Sequence, residues 1–576
     1  SAKAIKIQTR MNKLLQSKFW WLFLLIFLVV VNLVAAIFHS RFDLTKEKRY
    51  TLNHATTDLV KGLDDELTIE VFLKGDFPAG FKKLANSTDE FLRILKEYNA
   101  SNINYRFISP EDEIPGTNKR FGDTLVGLGA NPINLTVQKK SGQENKLVFP
   151  VALISYKGQQ AIVDLYAGGN RMITPAEMNS AEARMEYNFL KTFNDLVHTG
   201  KPLLAYSIGN GEPADARTYD LQQTLQKNYQ LFTFDINREQ FIPDTFKVLM
   251  VVKPSLQFTN DEKIKIDQFV MRGGKLLFFI DGLFAEQDSL RFKTETIAYD
   301  RDLNLTDLLF RYGMRINPDL VMDLQCDFLP FAVGGSAENP QYEFLHWNYY
   351  PLFESKNNHL INKNIGLVAG KFVNSVDTVQ SEGIQKTFLL SSSANSRIIS
   401  TPALISLNEN RNAPEDEQFK KSNIPVAVLL EGNFKSFYNS RISKAKMDSL
   451  AALNMPFKSI SEKTKMIVVA DGDIVLNDVS AKQGPLPMGV NLFTVGSQYE
   501  YQFANKEFLL NALEYLTNNP EIIAVRNKDI VLRLLDTEKV KEEKAAWQFI
   551  NIALPVLLVI LAGWIYQQIR KRKYKA

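Results

Sequence analysis

Two uncharged apolar stretches, one near each end of the 576-residue chain, constrain the fold more than any other feature. Residues 19–38 (FWWLFLLIFLVVVNLVAAIF) contain no charge, and a helix of that length, rising about 1.5 Å per residue, crosses a hydrocarbon core about 30 Å thick. Trp20 and Trp21 stand beside Lys18, where an aromatic belt meets headgroups. The second stretch, 547–566, includes FINIALPVLLVILAGWIY, with Pro555 inside it, and ends in a basic tail. Proline at membrane depth is tolerated where neighbours satisfy the freed carbonyl. The sequence thus predicts a tail (1–18), a transmembrane helix (19–38), a large soluble body, a helical stalk (534–546), a second transmembrane helix (547–566) and a basic tail (567–576). A cleaved signal peptide is the rival reading of the first stretch, with Val34 and Ala36 before the cut, but a signal core is usually about 7–15 residues, shorter than this one.

Two spans leave both termini on one side of the bilayer. Five basic residues and no acid lie in 1–18, and the same holds for 570–576, which places the termini in the cytoplasm. Arg41, Lys46, Lys48 and Arg49 on the other flank weaken that bias. Asn32, the one polar residue of the first span, can bond a neighbouring helix or its own; with Pro555 and Gly563 it is a candidate contact for a membrane partner.

Between the tails, 58 Lys and Arg face 64 Asp and Glu, so the body is mildly acidic and lacks the basic balance of a nucleic-acid binder. The single Cys326 excludes an intramolecular disulfide, a CxxC pair and a cysteine zinc site. The five His show no i, i+4 metal spacing, and no metal or cofactor is expected.

The body reads as α/β. Thr51 can cap a helix carrying Leu59, Val60 and Leu63, followed by a strand (67–75), a helix (80–99), a strand (103–109) and a hairpin (146–166) turning at Gly158. That order predicts a thioredoxin-like domain over 39–198, without the Cys pair that redox work requires. From 199 to 533, strands at 201–209, 229–236, 247–254, 275–282, 424–432 and 465–471 alternate with helices at 219–228, after Thr259 and at 505–518. Near-continuous apolar strands between amphipathic helices predict a Rossmann-like parallel sheet covered on both faces. Residues 325–385, rich in aromatics and Asn, fit neither period and read as an insertion.

Candidate ligand-binding residues sit at strand ends. Gly209, Asn210, Gly211 and Glu212 follow a strand, where open α/β sheets place ligands, but match neither GxGxxG nor GxxxxGK[ST]; a tight structural turn is the competing reading. Asp281, Asp471 and Asp473 also end strands; together they offer a carboxylate site, and singly they are ordinary turn or cap residues. Ser391 to Ser393 lack the nucleophile-elbow context, and Cys326 has no paired base, so no catalytic residue is assigned.

Five segments, DLTKEKRYTLNHAT (43–56), VFLKGDFPAGFKKL (71–84), NPDLVMDLQC (317–326), VAVLLEGNFKSFYNSR (426–441) and NKEFLLNALEYL (505–516), together with the layout of anchor, α/β body and anchor, resemble the GldG family of gliding-motility proteins of Bacteroidetes, auxiliary components of an ABC transporter. The resemblance covers essentially the whole chain. It implies a GldF-like permease and a GldA-like ATPase as partners, other gliding or type IX secretion envelope proteins as further ones, and an inner-membrane location with the body in the periplasm. It also implies a GIFT-type middle domain, related to glutamine amidotransferase folds; Asp281 stands after KLLFFI and no Cys nucleophile is in reach, so that activity does not carry over. A homodimer is compatible with this layout, as is a sugar or nucleotide site at the sheet edge.

Overall fold

In the computed structural model, residues 25–32, 51–517, 525 and 543–573 are described, apart from short internal segments of which 167–174 and 408–415 are the longest. The chain divides into two units, one of the terminal segments and one spanning His54–Lys528. In the terminal unit, residues 25–32 are helical and exposed; the rest of the expected first span and most of the stalk lie outside the described residues. One helix among the described residues, Ala546–Arg572, is long and apolar enough to cross a bilayer. It contains a π-helical turn at Phe549–Ala553, ending two residues before Pro555, whose missing N–H and ring crowding displace the regular ladder. Gly563 has open space around its Cα.

The body begins with a short helix, His54–Lys61. Thr51 lies three residues ahead of its first residue, and Asn53 directly precedes it. Next come β1 (Leu67–Val71), α1 (Ala79–Tyr98), β2 (Ile103–Phe107), β3 (Val151–Tyr156) and β4 (Gln159–Asp164), in a sheet ordered β2-β1-β3-β4. β1 and β2 are parallel, the other pairs antiparallel. Residues 146–148, expected in the hairpin with β3, instead belong to strand Gly142–Val148, which pairs with Ile133–Lys139. Pro150 marks the break, since it has no N–H to continue a ladder. α2 (Pro175–Val197) joins this layer to the remainder of the body, its Tyr187 hydroxyl bonding the carboxylate of Glu514.

A seven-stranded sheet fills the centre of the body. Its strands are β5 (Leu203–Ile208), β6 (Gln230–Asp235), β7 (Val248–Val252), β8 (Lys275–Phe279), β9 (Ile384–Ser391), β10 (Pro425–Lys435) and β11 (Ile460–Val469), in the order β9-β10-β11-β8-β7-β5-β6. The sequence predicts an all-parallel sheet; β10 runs antiparallel to both its neighbours, so the sheet is mixed. A buried antiparallel strand is as apolar as a parallel one when both faces are covered, so composition does not separate them. Both faces are indeed covered. Leu276 and Phe278 share a core with Ile266, Phe269 and Val270 of α3 (Asn260–Met271), while Leu277 and Phe279 share the opposite core with Phe508, Leu509 and Leu513 of α4 (Asn505–Thr517).

The aromatic segment after 325 is β-structure. Strands Cys326–Ser336 and Asn339–Phe353 form a long hairpin, and Trp347, Tyr349, Tyr350 and Phe372 build a third core. Period 2 fails there because the ladder is broken: Cys326 pairs with Pro351 and Phe328 with His346, leaving Asp327 opposite four residues, Trp347–Tyr350.

α3 starts with a capping box in which the Thr259 hydroxyl accepts from Glu262 N (3.3 Å) and the Glu262 carboxylate accepts from Thr259 N (2.8 Å). Thr259→Ala is expected to cost about 1 kcal/mol in denaturant unfolding, and Thr259→Ser to restore most of it; equal midpoints for Ala and parent would remove the cap from the account.

Candidate functional site at the carboxyl edge of the sheet

Parallel strands deliver their following residues to one edge, and all the sequence-predicted ligand residues lie there. β8 leads to Asp281, β11 to Asp471 and Asp473, and β5 to Gly209 through Glu212. The three Asp side chains converge, with one carboxylate oxygen of each within 4.8 Å of the others.

The residue that organises them is one the sequence reading did not select. Lys253, directly after β7, has a left-handed backbone (φ 45°) and a side chain only 7% exposed. Its Nζ lies 2.7 Å from Asp473 Oδ2, 3.1 Å from Asp281 Oδ2 and 3.2 Å from Glu286 Oε2. Glu286 also accepts from Arg301 (2.7 Å). The remaining oxygens are taken up by backbone: Asp281 Oδ1 accepts from Gly472 N, and Asp471 accepts from Lys371 N (2.8 Å) and Asp473 N (2.7 Å). Gly472 permits this approach, since a Cβ there would sit 2.5 Å from Lys253 Cβ. The signal in sequence was a lysine closing the apolar run VLMVV.

Burial and charge act in opposition in this cluster. Burial pushes the Asp471 carboxyl well up, and the neighbouring Asp473 and Asp281 push it further, so Asp471 holds a proton far above the usual carboxylate range. Burial also raises Asp281, with Lys253 pulling the other way. For Asp473, Lys253 and Lys371 outweigh burial and hold the carboxyl below its ordinary value. Lys253 itself is pushed well above the ordinary lysine range, because its three carboxylates overcome burial. As a cation site the trio therefore already contains its cation, an ammonium fixed on the chain.

The loop at 209–212 is tied inward. Gly209 and Gly211 have positive φ (124° and 76°), and a Cβ on Gly211 would meet Ser255 Oγ at 2.0 Å. Asn210 donates its N–H to Glu212 Oε2 (2.8 Å) and its amide to Glu262 Oε2 (3.0 Å), while its carbonyl accepts from Ser255 N (2.8 Å) and Leu256 N (2.9 Å). Burial raises the Glu212 carboxyl. Loop and trio are both braced by the segment after β7. Cys326 is buried, and burial together with the nearby carboxylates of Asp323 and Asp327 pushes its thiol up, away from the thiolate; Ser393 donates both its hydroxyl and its N–H to Asp323, which ties it into the hairpin base.

A family model described as "ABC-type uncharacterized transport system" matches residues 201–512, and one for a domain of unknown function (DUF7088) matches 46–155. No curated protein matches. Among solved structures, the chain is similar to "mmIFT52 N-terminal domain" (15% identity, 55% of this chain and 98% of that one, TM-score 0.30). It is also similar to "Exo-beta-1,4-mannosidase Op5Man5 from Opitutaceae bacterium strain TAV5" (10% identity, 74% of this chain and 51% of that one, TM-score 0.18).

Removing the ammonium leaves buried carboxylates uncompensated. Lys253→Met is expected to lose about 3–5 kcal/mol of unfolding free energy at pH 7. The sign with pH follows from linkage: in the variant, Asp281 and Asp473 take up protons more readily folded than unfolded, so stability rises as pH falls from 7 towards 5. Denaturant titrations at both pH values check this, and a variant as stable as the parent at pH 7 contradicts it.

Proposed function

Because the chain belongs to the ABC_transp_aux family of ABC-type transport systems, we propose that it is a non-enzymatic, membrane-anchored accessory subunit whose body serves as a scaffold or partner-binding module beside the membrane. The family match over 201–512 carries this reading. The arrangement at the sheet edge supports it: the carboxylates are engaged with Lys253 and with backbone. The sequence contains no nucleotide-binding motif, so energy comes from an ATPase subunit.

In this proposal residues 19–38 and 547–566 pack against a GldF-like permease, with Asn32, Pro555 and Gly563 at the contact, and a GldA-like ATPase completes the complex. The protein sits in the inner membrane with both termini in the cytoplasm and the body in the periplasm. There it serves gliding motility, linked to type IX secretion. Residues 39–198 are read as a thioredoxin-like domain, which the order β2-β1-β3-β4 supports, and 199–533 as a Rossmann-like, GIFT-type domain with an insertion at 325–385. Tethering at both ends raises the effective concentration of the body for any second contact at the membrane.

A second reading, a sugar or nucleotide site at Gly209 to Glu212, draws on one observation: Asn210 Oδ1 is buried without a hydrogen-bond partner among the described residues. A ligand at 100 times its dissociation constant stabilises by about 2.7 kcal/mol, so a thermal-shift panel decides this reading.

Mild-detergent capture of the full-length protein from its native membrane is expected to bring down a permease and an ATPase. A variant with 19–38 and 547–566 replaced by unrelated apolar helices is expected to lose both. Capture without either subunit from the native protein would overturn the accessory role.

A further inference from the structure

The interrupted hairpin holds a second cluster that the accessory reading does not use. Where Asp327 faces Trp347–Tyr350, the mismatch in register opens two adjoining spaces with Tyr350 in the wall of each. Bulges of this kind re-aim side chains and recur beside binding sites.

The first space is apolar, lined by Leu290, Leu329, Phe331, Trp347, Tyr350 and Phe493, among others, with a volume of about 100 Å³. That is smaller than the cavity of about 150 Å³ that takes benzene, and it suits a group of four or five carbons. Trp347 is 1% exposed, and its indole N–H is buried with no acceptor among the described residues. An orphaned buried donor costs free energy that an acceptor on a ligand would recover.

The second space is a polar cleft whose wall includes Asp327, Lys371, Asp478 and Asn491. Lys371 is ion-paired to Asp478 (2.8 Å) and bonded to Gln287 (2.9 Å). Asp327 is 5% exposed and accepts from Phe328 N (2.8 Å) and Asn491 Nδ2 (2.8 Å); Lys371, itself ion-paired to Asp478, and His346 act on it only at longer range, with no close ion pair among the described residues. A buried carboxylate whose direct hydrogen bonds come only from neutral donors has lone pairs free for an ammonium, and contact with one compensates its charge more closely than cations at longer range.

We infer that this bulge binds a free α-ammonium group next to a carbonyl on an apolar side chain of about four carbons, the chemistry shared by the amino-terminal residue of a peptide and by a free amino-acid amide. The ammonium meets Asp327, the side chain fills the apolar space, and the carbonyl accepts from the Trp347 indole.

Trp347 reports on its own site. The other four tryptophans are Trp20, Trp21, Trp547 and Trp564, so replacing those with Phe in the full-length protein leaves one indole. Its fluorescence is titrated in detergent with leucinamide, with 4-methylpentanamide (no ammonium) and with 3-methylbutylamine (no carbonyl). Leucinamide is expected to saturate the change and to bind about tenfold tighter than either analogue. Leu-Gly-Gly binding like leucinamide assigns the site to peptide termini, and binding of leucinamide alone assigns it to free amides. Asp327→Asn is expected to erase the advantage over 4-methylpentanamide, and Leu407→Phe, which narrows the apolar space, to weaken all three. Equal affinities, no saturable change, or an Asp327→Asn variant that keeps the preference would each overturn the inference. Should Asp327→Asn melt below the working temperature, the comparison of leucinamide with its analogues in the parent pocket decides alone.

Discussion

The ammonium of Lys253 is the interaction on which the carboxyl edge of the central sheet depends. It stands on the end of β7 and reaches carboxylates that follow β8 and β11, so one side chain ties the ends of three adjacent parallel strands. Taking several charges out of water costs several kcal/mol per ion, which is offset only when geometry is close and the remaining lone pairs are satisfied. Both conditions hold, because the backbone N–H groups of Gly472, Lys371 and Asp473 complete the set.

That closure shapes what the edge can do. A carboxylate whose oxygens already accept from a lysine and from the main chain has little capacity left for an incoming metal or proton donor. The hairpin bulge is built on the opposite principle. Asp327 has its hydrogen bonds but no cation in direct contact among the described residues, and Trp347 has its packing but not its acceptor. The two sites share residue types and differ in what is left unmet.

Much of the fold was legible because periodicity and burial coincide. The helix at 219–228 is found with the bounds read from sequence, and the apolar strands at 248–252 and 275–279 lie at the centre of the sheet. The direction of 425–435 was not legible, since an apolar run has no polarity of its own. The aromatic hairpin was obscured by its four-against-one bulge, which shifts the alternation partway along. At the sheet edge, the Asp residues could be picked out as strand-end acids, but Lys253 could not: local sequence shows one lysine after a strand, and only the sheet order brings its partners within 3.2 Å. Asp327 was hidden in the same way, inside a segment whose period had been lost.

The sheet order also governs how the protein can be made. β8 lies between β7 and β11, but β11 comes after it in the chain by about 180 residues, a separation that sets a high entropic cost for closing the pair. Synthesis at about 5–20 residues per second leaves the Leu-Leu-Phe-Phe edge of β8 without its second neighbour for roughly 10–40 s. An unpaired apolar edge is a template for pairing with other chains. The newly made body therefore carries an open apolar edge through that interval, and its folding yield depends on that edge staying unpaired with other chains as well as on the stability of the finished sheet.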